Sequence, residues 1–159
     1  MRLELVKDWM TSELITISPD TRLAEIDRLM VEHKIRRLPV VENEILLGIV
    51  SYGDVRAAKP SQASPLSVWE TNYLVSRVTA GEIMTPKPST VHKDTIIGQA
   101  VLLMLENKFS SLPVTDKDDK LVGIITETDI FRMIVHDWEK SKDSATEPFM
   151  HYNDPSHSD

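Results

Sequence analysis

The feature that most restricts this chain is that it is written twice. Met10-Thr11 recurs as Met84-Thr85, Asp20-Thr21 as Asp94-Thr95, and Leu38-Pro39-Val40 as Leu112-Pro113-Val114, all at one constant offset. Gly48 and Asp54 return as Gly123 and Asp129 one position later, so the second copy has gained a residue in the intervening turn. Pairs held in one order at one register indicate an internal duplication, and whatever one copy builds the other must build too.

Each copy carries the same local grammar. A short extended piece (15–17; 90–91) leads into Pro19-Asp20-Thr21 or Lys93-Asp94-Thr95, which reads as a helix N-cap. Leu23, Ile26, Leu29 and Met30 then follow at helical spacing, as do Ile97, Ala100, Val101 and Met104. Residues 38–41 and 45–50, separated by the polar turn Glu42-Asn43-Glu44, predict a β-hairpin; 112–115 and 121–125 repeat it around 116–120. A final helix follows Asp54 and Asp129. A β-α-β-β-α unit of about sixty residues buries too little surface to be comfortable alone. Two of them, each with one apolar sheet face, can pack against each other in a pseudo-twofold pair.

The expected fold class is therefore α/β (α+β), two pseudo-twofold-related β-α-β-β-α units packed through their sheets. Residues 1–58 form the first repeat, 59–77 a linker with a short helix, 78–138 the second repeat, and 139–159 a polar tail expected to be disordered. In the linker, Lys59 to Pro65 is a loop by composition. Trp69, Tyr73, Leu74 and Val78 follow at near-helical spacing, with aromatics expected to pack on the module or on another subunit.

Both copies close their second strand with an apolar run opened by Gly and ended by hydroxyl-x-x-Asp: Gly48 to Asp54 and Gly123 to Asp129. Ser51-x-x-Asp54 and Thr126-x-x-Asp129 match a capping box, but a cap accounts for the last four residues alone. The residue types also suit a nucleoside. A ribose offers two neighbouring hydroxyls to an ionised carboxylate, and a Ser or Thr hydroxyl with free helix-start N–H groups can receive a phosphate.

Tandem M-T…D-T…L-P-V…G-h-h-[ST]-x-x-D repeats resemble a pair of CBS domains, the Bateman module, over nearly the whole chain except linker and tail. The resemblance implies regulatory binding of adenosine-containing ligands, AMP, ADP or ATP above all, with NAD or S-adenosylmethionine as further candidates. It also implies a homodimer. It assigns ribose to Asp54 and Asp129, phosphate to Ser51 and Thr126, and adenine to Leu14, Ile15 and Thr16 and to Pro88, Ser89 and Thr90. Each early segment is expected to face the other repeat's aspartate.

Hairpin topology adds Arg36 and Arg37. The start of one strand lies beside the end of its partner, so both arginines are expected near Ser51 and Asp54. There they would form a phosphate clamp of rigid donors or simply a cationic helix C-terminus. The second copy has Ser110-Ser111 in this place and Glu127 beside its hydroxyl. The Asp54 site is thus expected to prefer phosphorylated adenosine ligands, and the Asp129 site a less anionic ligand or none.

Other functions find little support. The net charge of −7 disfavours nucleic acid and anionic membrane as partners. With no cysteine, thiolate nucleophiles, disulfides and Cys-ligated zinc are excluded. The five histidines form no metal-ligand spacing, and Asp116, Asp118 and Asp119 lack the Gly and closing Glu of a calcium loop. There is no P-loop and no nucleophile elbow, so no catalysis and no metal are expected. The start is too polar for a secretory signal and no apolar run spans a bilayer, so a soluble cytoplasmic protein is expected. The alternative is a ligand-free interaction module that dimerises and holds an unidentified regulated protein through Trp69, Tyr73 and Trp138.

Overall fold

The computed structural model describes residues 4–60 and 67–141. In the first repeat, helix α2 (Leu23–Glu32) buries Leu23, Ile26 and Met30 against the hairpin of β1 (Arg37–Glu42) and β2 (Ile45–Ser51). The hairpin turns at Asn43 and Glu44, whose φ of 50° and 66° give the left-handed pair that a tight two-residue connection requires. Helix α3 (Tyr52–Ala58) follows. The second repeat matches it: β4 (Val91–His92), α6 (Ile97–Asn107) with Ile97, Ala100 and Met104 buried, the hairpin β5 (Ser111–Thr115) and β6 (Leu121–Thr126), and α7 (Glu127–Ser141). Between the repeats lie α4 (Val68–Arg77), α5 (Ala80–Ile83) and β3 (Thr85–Pro86). A short α1 (Val6–Trp9) precedes the first repeat.

The two cores are completed by exchange. Ala80 of α5, leading into the second repeat, is buried in the first core with Leu23, Ile26, Leu38 and Val50. Val6 of α1, leading into the first repeat, is buried in the second core with Ile97, Leu112 and Ile125. The chain after each of these helices crosses the other repeat's second strand: β3 pairs with β2 through Gly48 and Ile49, and Thr11 bridges Ile124 of β6. The result is two sheets, ordered β1-β2-β3 and β4-β5-β6.

This crossing gives the repeated Gly and Met-Thr their physical meaning. A Cβ on Gly48 would lie 2.9 Å from the Thr85 carbonyl oxygen, and one on Gly123 would lie 3.0 Å from that of Thr11. Backbone at that distance cannot yield as a flexible side chain would. The methionine ahead of each threonine, Met84 or Met10, fills the space over the glycine.

Two expectations need correction and a third is narrowed. Asp20-Thr21 and Asp94-Thr95 do not cap α2 and α6, whose N-caps are Arg22 and Ile96 with no side-chain bond. The first helical N–H groups are instead satisfied by the exchanged segments, Leu23 donating to the Val78 carbonyl (3.0 Å) and Ile97 to that of Glu4 (2.9 Å). The linker helix packs on the first core through Val75 and its C-cap Val78, leaving Trp69 86% exposed and Tyr73 and Leu74 exposed beside it. Within the single chain these side chains therefore do not pack on the module, and the other expected partner, a second subunit, is the one left. Helix α7 runs through Ser141, past the expected start of the tail, and residues 142–159 lie outside the described residues.

Candidate functional site

The crossing of the lead-in segments creates two clefts between the repeats. The first, about 420 Å³, is walled by Ser51 and Asp54 of the first repeat, by Lys87, Pro88 and Ser89 of the second repeat's lead-in, and by its helix-to-strand corner from Lys108 to Ser111. The second, about 520 Å³, has the mirrored construction. Thr126 and Asp129 face Glu13, Leu14 and Ile15, with the corner from Lys34 to Arg37 completing the wall. Thr16 lines a separate, smaller cavity of about 280 Å³ beside Glu44 and Leu121, and Thr90 lies outside the first cleft's lining.

At the head of each cleft the capping box is made, and it leaves the two aspartates in different states. Ser51 donates to Asp54 Oδ2 from both its backbone N–H and its hydroxyl, at 2.7 Å each, and Asp54 N–H donates back to Ser51 Oγ at 3.1 Å. Both bonds to the carboxylate fall on the same oxygen, Oδ2; among the described residues Oδ1 of Asp54 has no partner. Capping and ligand binding are therefore compatible at the same residue. Asp129 Oδ2 is held in the same way by Thr126, at 2.8 and 2.7 Å. Its Oδ1, however, accepts from Arg132 Nη1 at 3.1 Å, and the residue is only 2% exposed.

Arg37 stands beside Ser51 and Asp54 as hairpin topology predicts, whereas the Arg36 side chain does not. The backbone adjacency holds: Arg37 is opposite Ser51 in the register, and Tyr52 N–H donates to the Arg36 carbonyl at 2.8 Å. Yet Arg36 lines the Asp129 cleft and not the Asp54 cleft, while Arg37 lines both. Across the pseudo-twofold, each repeat's helix-to-strand corner serves the cleft headed by the other repeat's aspartate, so adjacency in the hairpin does not fix which cleft a corner side chain enters. Ser110 and Ser111 accordingly line the Asp54 cleft.

Cations arrive there by a route the sequence reading missed. Lys87 and Lys108, with φ of 46° and 57°, bring positive charge from the second repeat. The lining thus holds the cations Arg37, Lys87 and Lys108 against Asp54 as its one carboxylate. The Asp129 cleft carries Lys34, Arg36, Arg37 and Arg132 but also Glu13, Glu127 and Asp129, and Arg132 is already paired. Lys87 and Glu13 occupy equivalent positions in the two copies, so this part of the asymmetry is a charge reversal. Among the described residues no group of histidine, aspartate and glutamate is arranged to hold a metal ion, and no helix is long and apolar enough to cross a membrane.

The CBS-domain profile matches residues 6–61 and 80–136. The chain belongs to the CBS-domain family. This CBS pair is 35% identical to the CBS domain-containing protein CBSX2, chloroplastic, of Arabidopsis thaliana over 147 residues, 80% of this chain and 62% of that protein. The chain therefore spans less than two thirds of that relative's length. It is 31% identical to a CBS domain-containing protein of Dictyostelium discoideum over 132 residues, 82% of this chain and 91% of that one. Among solved structures, CBSX2 in complex with AMP superposes with a TM-score of 0.70 at 34% identity, covering 84% of this chain and 98% of that one. The CBS domain pair of protein MJ0100, in complex with 5'-methylthioadenosine and S-adenosyl-L-methionine, gives 0.70 at 28% identity, covering 86% and 99%.

Proposed function

We propose that this CBS pair is a regulatory module, without catalysis of its own, that takes an adenosine-containing ligand between its repeats. The Asp54 cleft is the primary site and AMP, ADP or ATP its favoured ligand. The carrying observation is the unshared Oδ1 of Asp54, in a carboxylate already fixed by its cap, within a cleft whose cations outnumber its carboxylate. The cap holds the carboxylate in place before the ligand arrives, and the free oxygen accepts from ribose hydroxyls. Arg37, Lys87 and Lys108 supply the phosphate end, joined by Ser51, and Pro88 and Ser89 offer the wall for adenine. The AMP-bound CBSX2 and the MJ0100 pair with two adenosyl compounds support this ligand class.

In the Asp129 cleft, Arg132 already occupies Oδ1, and Glu13 and Glu127 offset the cations. Thr126 remains a phosphate contact there and Leu14 and Ile15 an adenine wall. The site is the weaker one for phosphates and suits a less anionic ligand of the methylthioadenosine or S-adenosylmethionine kind. A homodimer is part of the same reading. Phe131, Ile134 and Val135 on α7 and Leu102 and Leu105 on α6 are exposed, Leu105 and Phe131 lining one apolar depression, and exposed apolar surface of this kind supports a subunit contact. Adenylate binding would be read out by a regulated protein, making the module an energy sensor of the cytoplasm.

The test is calorimetric titration of AMP into the full chain. Asp54→Ala should cost about 1.5–3 kcal/mol, ten- to a hundredfold in affinity. Unchanged AMP affinity in that variant would remove Asp54 from the site.

A further inference from the structure

We propose that the two clefts share a single phosphate-binding group, Arg37, so that an anionic ligand in one weakens the binding of a second anionic ligand in the other. The inference rests on the nucleotide reading above and concerns how its two sites are coupled.

Among the described residues, Arg37 and Ser110 alone line both clefts. They are bonded to each other, Arg37 Nη2 donating to Ser110 Oγ from one repeat to the other. The Arg37 backbone is fixed opposite Ser51 at the start of β1, so the side chain stands in the wall between the two cavities. None of the ion pairs among the described residues involves it. Its recorded side-chain partner is a neutral hydroxyl.

A guanidinium is permanently charged and carries five donors in a planar fork. A phosphate oxygen is a stronger acceptor for it than a serine hydroxyl, because a charge-assisted bond is about twice as strong as a neutral one. A ligand phosphate on either side therefore draws Arg37 toward its own cleft. A second phosphate then meets a wall whose shared cation is already turned away and neutralised. The other cations are private, Lys87 and Lys108 to one cleft and Lys34, Arg36 and Arg132 to the other. Each cleft keeps an intrinsic affinity, and only the Arg37 contribution cannot be counted twice. The duplication supplies no second copy of it, since Ser111 stands at the equivalent position.

Coupling of this kind is reciprocal, each anionic ligand weakening the other by the same factor. An uncharged adenosyl ligand makes no claim on Arg37, so a nucleotide in one cleft and a neutral adenosyl compound in the other do not oppose one another. The favoured fully loaded state is that mixed pair.

Calorimetry on the full chain, with AMP and adenosine as probes, tests this. Asp54→Ala leaves the Asp129 cleft to fill first with Arg37 to itself, and Asp129→Ala does the converse; Asn replaces Ala in either variant if circular dichroism shows a loss of folding. The product of the two stepwise AMP association constants in the wild type should fall about tenfold below the product of the two single-cleft values, the worth of one charge-assisted bond. With Arg37→Gln in every background the shortfall should vanish, and with adenosine it should be absent throughout. Arg36→Gln should weaken AMP in the Asp129 cleft and leave the shortfall intact. A wild-type product equal to the single-cleft product overturns the inference, as does a shortfall that persists in Arg37→Gln; in both cases nucleotide binding itself stands. AMP binding to just one single-cleft variant also overturns it, because no second phosphate then competes. No AMP binding to any form removes the nucleotide reading and this inference with it.

Discussion

The same substitution should have opposite effects at two glycines of this chain. At Gly48 a methyl group would sit 2.9 Å from the Thr85 carbonyl oxygen. Either β3 lifts off β2 or both strands shift, and overpacking of that kind costs about 1–3 kcal/mol. At Gly98, on the exposed face of α6, no atom beyond its chain neighbours and its own helix backbone lies within 4 Å of the added carbon. There Ala removes backbone entropy from the unfolded chain and should stabilise by about 0.5–1 kcal/mol. In a chain of this size about 1 kcal/mol moves the melting temperature by roughly 2–4 °C. Gly48→Ala should therefore melt several degrees below the wild type and Gly98→Ala a degree or more above it, in a circular-dichroism scan without ligand. A second readout separates the proposed cause from general damage. The segment displaced at Gly48 leads directly to Lys87, Pro88 and Ser89 in the Asp54 cleft, so AMP affinity there should fall although residue 48 lies outside the lining. Gly48→Ala with wild-type melting and wild-type AMP affinity would refute the argument that the crossing backbone demands glycine.

Two further outcomes are open to measurement. The Asp94 carboxyl is held below its ordinary value of 3.8, first by its hydrogen bond from Lys7 and then by nearby positive charge, and Lys7 is held above 10.5 by the same pair. The pair's contribution is present above the ordinary Asp value and is lost as pH falls through the lowered folded one. At the alkaline end it is full below the ordinary Lys value and is lost as pH rises through the raised one. An NMR titration should show the Asp94 midpoint moving up in Lys7→Ala, and an unmoved midpoint would count against the contact. On the apolar face of α6 and α7, Phe131→Asp should convert the proposed homodimer to monomer in light scattering coupled to size exclusion; Phe131 is 63% exposed in the single chain, so the variant should keep a wild-type circular-dichroism spectrum and lose only the stability that association contributes. A variant that remains dimeric would place the interface elsewhere.

Much of the repeat architecture was legible because the hairpins are local. Leu38-Pro39-Val40 and Leu112-Pro113-Val114 mark β1 and β5, and the glycine-opened runs mark β2 and β6. What the sequence hid is non-local. The caps of α2 and α6 are carbonyls of Val78 and Glu4, so Asp20 and Thr21 misled by offering a local solution where a distant one prevailed. Arg36 was misplaced because hairpin pairing fixes backbones, whereas the direction of a side chain at a corner depends on the opposing repeat. Lys87 and Lys108 belong to no motif, although the match of Lys108 to Lys34 in the duplication register was a signal available to a closer comparison of the copies. The engaged oxygen of Asp129 was equally readable, since Arg132 lies one helical turn along on α7. The free oxygen of Asp54 followed only once the cap was seen to use a single lone-pair side of the carboxylate.

The traded helices α1 and α5 also decide how this molecule can move. Two lobes joined by a simple linker can swing apart about a hinge and gape around a ligand. Here such a swing would drag Val6 out of one interior and Ala80 out of the other, both fully enclosed, and exposing the valine alone costs about 1.5–3 kcal/mol. The pair is latched at two points. A ligand of the proposed kind would then be felt as strain within a closed body, through shifts of a side chain such as Arg37 and of the helix starts beside it, and not as the opening and shutting of a jaw.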